Sequence, residues 1–114
     1  MINLERLDLE IKGIELDQSE KVIYLQENDI DSLTEYNPQS ATNKKNIYSA
    51  ALSILESIAN NPSLMRTVKV DDMTVSDFHE NLMARIDQLE SKIRKMKTDE
   101  QVNNESNFFM LFNG

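Results

Sequence analysis

Residues 76–97 carry Phe78, Leu82, Ile86, Leu89, Ile93 and Met96 at steps of 4, 4, 3, 4 and 3. Helical geometry puts such positions on one side, and the near-heptad spacing makes a seam that buries against another helix. Ser76 is the predicted cap. Arg85, Lys92, Arg94, Lys95 and Lys97 load the later turns, where cations complement the carbonyl end of the helix dipole. The partner stripe lies upstream, at Ile47, Ala50, Ala51, Ile54, Leu55 and Ile58. Thr42 or Asn43 is the predicted cap of that helix, and Asn60-Asn61-Pro62 stops it, because the residue before proline avoids helical angles. The small pair Ala50-Ala51 lets a second helix approach closely. These two stripes predict a mainly α fold, a small helical bundle.

Between the stripes, Met65 to Val70 alternates and is rich in β-formers. Asp71-Asp72 then suits a turn, and Met73-Thr74-Val75 a short return strand. The expectation is a β-hairpin over about 65–75. A two-stranded hairpin is marginal alone in water, so this one leans on a neighbour within the chain or from another subunit, and Arg66, Val68, Val70, Met73 and Val75 are the candidate inter-subunit contacts. Upstream, Leu4, Leu7, Leu9, Ile11, Ile14 and Leu16 mix helical and alternating spacings around Gly13, which predicts a short helix over about 3–12. Asp17-Gln18-Ser19-Glu20 reads as the start of another helix, which carries Val22, Ile23, Tyr24 and Leu25. Roughly helical spacing continues through Ile30 and Leu33 to Tyr36, before Asn37-Pro38.

Past Lys97 the pattern stops. Thr98 to Asn107 is polar, with Val102 its one aliphatic residue, and reads as a tether. Phe108-Phe109-Met110-Leu111-Phe112 follow and hold three of the four phenylalanines. Five large apolar side chains left in water would each forgo roughly 1.5–3 kcal/mol. They either fold back onto the domain or dock on a partner, and a tether of ten residues, spanning up to about 35 Å, favours docking. The expected organisation is a helical domain over 1–97 and an extended tail over 98–114.

Composition narrows the chemistry. The 114 residues suit one small domain, and the net charge of −8 has the wrong sign for generic phosphate binding or for attraction to anionic membranes. No apolar run approaches the ~20 residues that cross a bilayer. The first residues lack the pattern of a signal peptide, so an intracellular, soluble protein is expected. Charge is segregated: residues 1–41 hold ten acids and three bases, whereas 42–70 hold one acid and four bases. Two unlike faces of this kind suit identical subunits packed head to tail.

Without cysteine there is no disulfide, thiolate site or cysteine nucleophile. His79 is the single histidine and reads as a surface residue. Asp29-Ile30-Asp31 lacks the glycine and closing glutamate of a calcium loop. Glycines at 13 and 114 alone cannot build a phosphate loop. Lys44-Lys45 is too small a basic patch for nucleic acid, and Asn104-Glu105-Ser106 matches the glycosylation acceptor only formally. No catalytic residue, cofactor or metal is expected.

The run Tyr48 to Ala59, then Val68-Lys69-Val70-Asp71-Asp72-Met73-Thr74-Val75-Ser76, then Leu82 to Leu89 resembles the head–tail connector (adaptor, or head-completion) proteins of long-tailed bacteriophages. The likeness spans about residues 15–97. It implies a structural neck protein of the virion, made in the bacterial host cytoplasm. Such proteins form a homo-oligomeric ring, typically of twelve copies, beneath the portal protein. The ring prolongs the DNA channel without binding DNA specifically and docks the next neck, stopper or tail protein. It also implies that Phe108, Phe109, Met110, Leu111 and Phe112 reach the portal or a neighbouring subunit. A different class fits the same composition: a small acidic regulatory protein that binds and modulates a host or phage protein through that cluster. A neck protein stays in the particle at parity with the portal; a regulator is absent from it.

Overall fold

A computed structural model describes residues 1–61, 63 and 74–102. They form four helices of eight residues or more: α1 (Asn3–Glu10), α2 (Gln18–Glu27), α3 (Ala41–Ala59) and α4 (Val75–Lys95). The fold is mainly helical, and no strand occurs among the described residues. α3 is the central element, packed against the other three helices. Its predicted stripe is buried throughout, Ile47, Ala50, Ala51, Ile54, Leu55 and Ile58, together with Tyr48. Phe78, Leu82, Ile86 and Leu89 of α4 are buried too, while Ile93 and Met96 are half-buried against the same core. Leu4, Leu7 and Ile11 of the α1 region and Leu25 of α2 complete it.

The caps differ from the sequence expectation. Ser40, rather than Thr42 or Asn43, begins α3: its backbone is extended and its hydroxyl accepts the Asn43 N–H at 3.0 Å. Thr42 and Asn43 are engaged elsewhere, as described below. Thr74, rather than Ser76, begins α4 by accepting the Asp77 N–H at 3.0 Å. The spacing Thr74-x-x-Asp77 satisfies an N-terminal donor and places an acid where the helix dipole favours it. Thr74 and Val75 are thus a cap and a first helical residue, not a return strand. The remainder of the expected hairpin, including Arg66, Val68, Val70 and Met73, lies outside the described residues, as do Asp71-Asp72 and Phe108 to Phe112.

α2 stops at Glu27 rather than running to Tyr36. Ile30 donates its N–H to the Leu25 carbonyl at 2.9 Å, and Asp29 donates to Gln26 at 3.1 Å. Asp29 sits at φ +61, and Leu25 and Ile30 are both buried. That is a Schellman ending with an aspartate in the left-handed position usually given to glycine. Gly13, at φ +93, turns the chain after α1 in the same conformation.

The turn after α2 has a structural task. Ile2, preceding α1, has no side-chain acceptor for the free amides of the helix. The turn supplies them: Asn3 N–H donates to Thr34 at 2.9 Å and Leu4 N–H to Ser32 at 3.0 Å. The Glu5 side chain accepts from Ile2 N–H at 2.9 Å, and an isolated antiparallel bridge joins Ile2 to Glu35. Buried Asn3 fastens the arrangement. Its amide donates to the Asp31 carbonyl at 2.9 Å, and its oxygen accepts from Asn43 at 3.0 Å.

Candidate functional site

The polar stretch after α4 begins as structure rather than as tether. Thr98 and Gln101 form a reciprocal capping box, with Thr98 N–H donating to the Gln101 side chain at 2.9 Å and Gln101 N–H to the Thr98 hydroxyl at 3.2 Å. Residues 99–102 complete one helical turn. Asp99 clamps this turn to the start of α3. Its carboxylate accepts the Ser40 hydroxyl at 2.5 Å and the Ala41 N–H at 2.6 Å, and its own N–H donates to the Thr42 hydroxyl at 2.7 Å. The Ser40 hydroxyl, then the Ala41 and Thr42 backbone, hold the Asp99 carboxyl below the usual carboxylate range. A carboxylate at a helix N-terminus is also where the dipole favours negative charge. The clamp fixes residues 98–102 at the α3 N-terminus and the α4 C-terminus.

A second polar cluster ties α1 to α4. Glu10, largely buried, accepts from Arg6 at 2.8 Å, one turn away on α1, and from Arg85 of α4 at 2.5 Å. The Arg6 guanidinium lies 5.3 Å from the centre of the Tyr36 ring and 5.6 Å from that of Tyr48, while Lys92 lies 5.2 Å from Tyr48. Tyr48 therefore meets cations from α1 and α4 at once. This cluster braces the bundle, and its groups satisfy one another.

Two of the clefts among the described residues reach core side chains of α3. One, of about 260 Å³, lies between the turn at Ile11–Ile14 and Leu55, Phe78, Leu82 and Arg85. The other, of about 430 Å³, separates α2 from α3, with Ile54 and Ile58 at its base, Leu16 and Ile23 alongside, and exposed Glu20 and Glu27 at its mouth. The Tyr24 hydroxyl spans this second cleft to the Ser57 hydroxyl at 2.9 Å.

Of the residues singled out in the sequence, Val75 is half-buried against the core at the start of α4. Phe108 to Phe112, Arg66, Val68, Val70 and Met73 fall outside the described residues, so no contact with them is part of this geometry. His79 is half-buried on α4, next to Phe78. Among the described residues no group of three or more His, Asp or Glu side chains is placed to hold a metal ion. The Asp31 carboxylate instead accepts Leu33 N–H at 2.9 Å, shaping the turn after α2. No helix among the described residues is long and apolar enough to cross a membrane.

Helix pairing and polar fastenings define the described residues as a small α-helical bundle with open interhelical clefts. No protein-family model, no curated protein and no solved structure matches the chain.

Proposed function

We propose that this chain is a structural neck protein of a long-tailed bacteriophage, a head–tail connector that assembles as a ring under the portal protein. It acts by assembly and docking, with no catalytic step. The ring extends the DNA channel and presents a surface to the next neck or tail component. The observation that carries this reading is the central pair: the Ala-rich helix through Tyr48–Ala59 packed along the final amphipathic helix through Leu82–Leu89. Those are the segments in which the sequence resembles connector proteins. Net charge supports it as well, since a wall with excess acid lets DNA slide past by repulsion rather than binding it by counterion release.

In this reading Phe108 to Phe112 anchor each subunit to the portal or to a neighbour, and repetition around the ring multiplies a weak contact. Quantitative mass spectrometry of purified virions of the encoding phage tests the proposal, by comparing copies of this chain with copies of the portal. A ratio near one is expected. Absence from the particle overturns it and leaves the regulatory binder, with Phe108–Phe112 as its contact. Deleting residues 108–114 is expected to abolish attachment to the portal while the helical circular-dichroism signal persists. A matching loss of that signal would place the cluster in the core instead.

A further inference from the structure

α2 encloses a single residue, Leu25, and leaves Ile23 53% exposed beside the α2–α3 groove. Among the described residues, the charges that line that groove, Glu20 and Glu27, have one sign. Residues 15–27 hold Glu15, Asp17, Glu20 and Glu27 against Lys21 alone, and Lys21 is already bound to Asp8 at 2.8 Å. None of those four acids forms an ion pair among the described residues. An apolar trough edged by carboxylates fits a segment that is both cationic and apolar.

The chain carries one. Residues 91–97 contain Lys92, Arg94, Lys95 and Lys97 and no acid. Arg94 and Lys95 are exposed and form no ion pair among the described residues, and Ile93 and Met96 alternate with them, half-buried. The same molecule cannot bring the two together. The cationic turn sits at the α3 N-terminus, where Asp99 binds Ser40 and Ala41, while the groove flanks Ile54 and Ile58. At 1.5 Å per residue, Ala41 and Ile54 are roughly 20 Å apart along α3.

We propose that the α2–α3 groove receives the cationic last turn of α4 from a second copy of this chain, with Arg94 and Lys95 against Glu20 and Glu27 and Ile23 covered. A two-fold pairing of grooves would set acid on acid. The complementary contact is head to tail, the kind that closes into rings or runs on as filaments. The inference rests on the ring reading for the closed form of the assembly, and it names the surfaces that would build it.

Charge reversal tests it. Glu20→Lys with Glu27→Lys makes the groove cationic; Arg94→Glu with Lys95→Glu makes the last turn acidic. All four positions are exposed, and circular dichroism verifies the fold of each variant. By sedimentation velocity of the full chain, each double variant alone is expected to associate about ten-fold more weakly or worse. An equimolar mixture restores association, because each acidic turn then meets a cationic groove. Raising salt weakens the wild type, and reversing exposed Asp87 to Lys leaves it unchanged. Assembly that survives both reversals, a mixture that fails to restore it, or a wild-type chain that stays monomeric at every concentration overturns the interface. Those outcomes are separable from failure of the neck reading. A chain at parity with the portal whose assembly ignores the reversals keeps the ring and discards this contact.

Discussion

The α3–α4 pair and the α1–α2 half of the bundle are held by different physics. α3 and α4, of 19 and 21 residues, pack together and bury Ile47, Ala51, Ile54, Phe78, Leu82, Ile86 and Leu89 in one apolar core. α1 and α2 have 8 and 10 residues, below the ~12–15 at which an isolated helix is even marginal. In helices so short, the unsatisfied terminal groups are a large share of the whole. Polar fastenings therefore decide their arrangement: the turn carbonyls for the α1 amides, the Asn3–Asn43 bond, Lys21 with Asp8, and Arg6–Glu10–Arg85. Long stripes orient themselves by burial, whereas short helices are oriented by what caps and ties them.

The central pair is the part of the bundle most sensitive to substitution. Replacing Ile54 or Leu89, both essentially inaccessible, by Asp buries an unpaired charge. The cost is several kcal/mol against a total of about 5–15. Loss of cooperative thermal melting by circular dichroism is expected for either variant. A retained cooperative melt would show that the α3–α4 seam is not the core. Asn3→Ala probes the other half. It leaves the Asn43 amide and the Asp31 carbonyl without their partner, which costs about 1–3 kcal/mol. The melting temperature should fall while the chain still folds, with amide exchange accelerating at Leu4 and Tyr36 and not at the middle of α3. Uniform acceleration would mean that the two halves unfold as one unit.

The same division explains what was legible in the sequence. The stripes of α3 and α4 repeat often enough to be read residue by residue, and every position assigned to them is buried or half-buried. The end of α2 was not legible. Ile30 and Leu33 keep helical spacing, but Ile30 is buried through a Schellman turn and Leu33 is 73% exposed. The signal was Asn28-Asp29, two residues that tolerate caps and left-handed angles. The clamp at Asp99 was hidden for another reason. Thr98-x-x-Gln101 is a recognisable capping box, but the donors to the Asp99 carboxylate lie at Ser40 and Ala41, and no local pattern reports a contact across 58 residues. The α2–α3 groove is likewise a product of packing, although its acid-rich edge is visible as the charge imbalance of residues 1–41.

The smallest expected effect concerns the turn at residues 98–102. Asp99 holds residues 98–102 on α3 through a carboxylate whose folded pKa lies below the ordinary value of about 4. A group shifted down stabilises fully above its unfolded pKa, and the contribution disappears as pH falls through the lower folded value. Neutral and mildly acidic solutions should therefore keep the clamp, and strongly acidic ones release it. Asp99→Ala should release it at every pH. Amide exchange at Ala41 and Thr42, followed by NMR, reads this directly: faster in the variant at neutral pH, and converging with the wild type in acid. Global melting should move less than in Asn3→Ala, because both ends of the clamp are partly open to water. Persistent protection of Ala41 in Asp99→Ala would show that other contacts hold the turn.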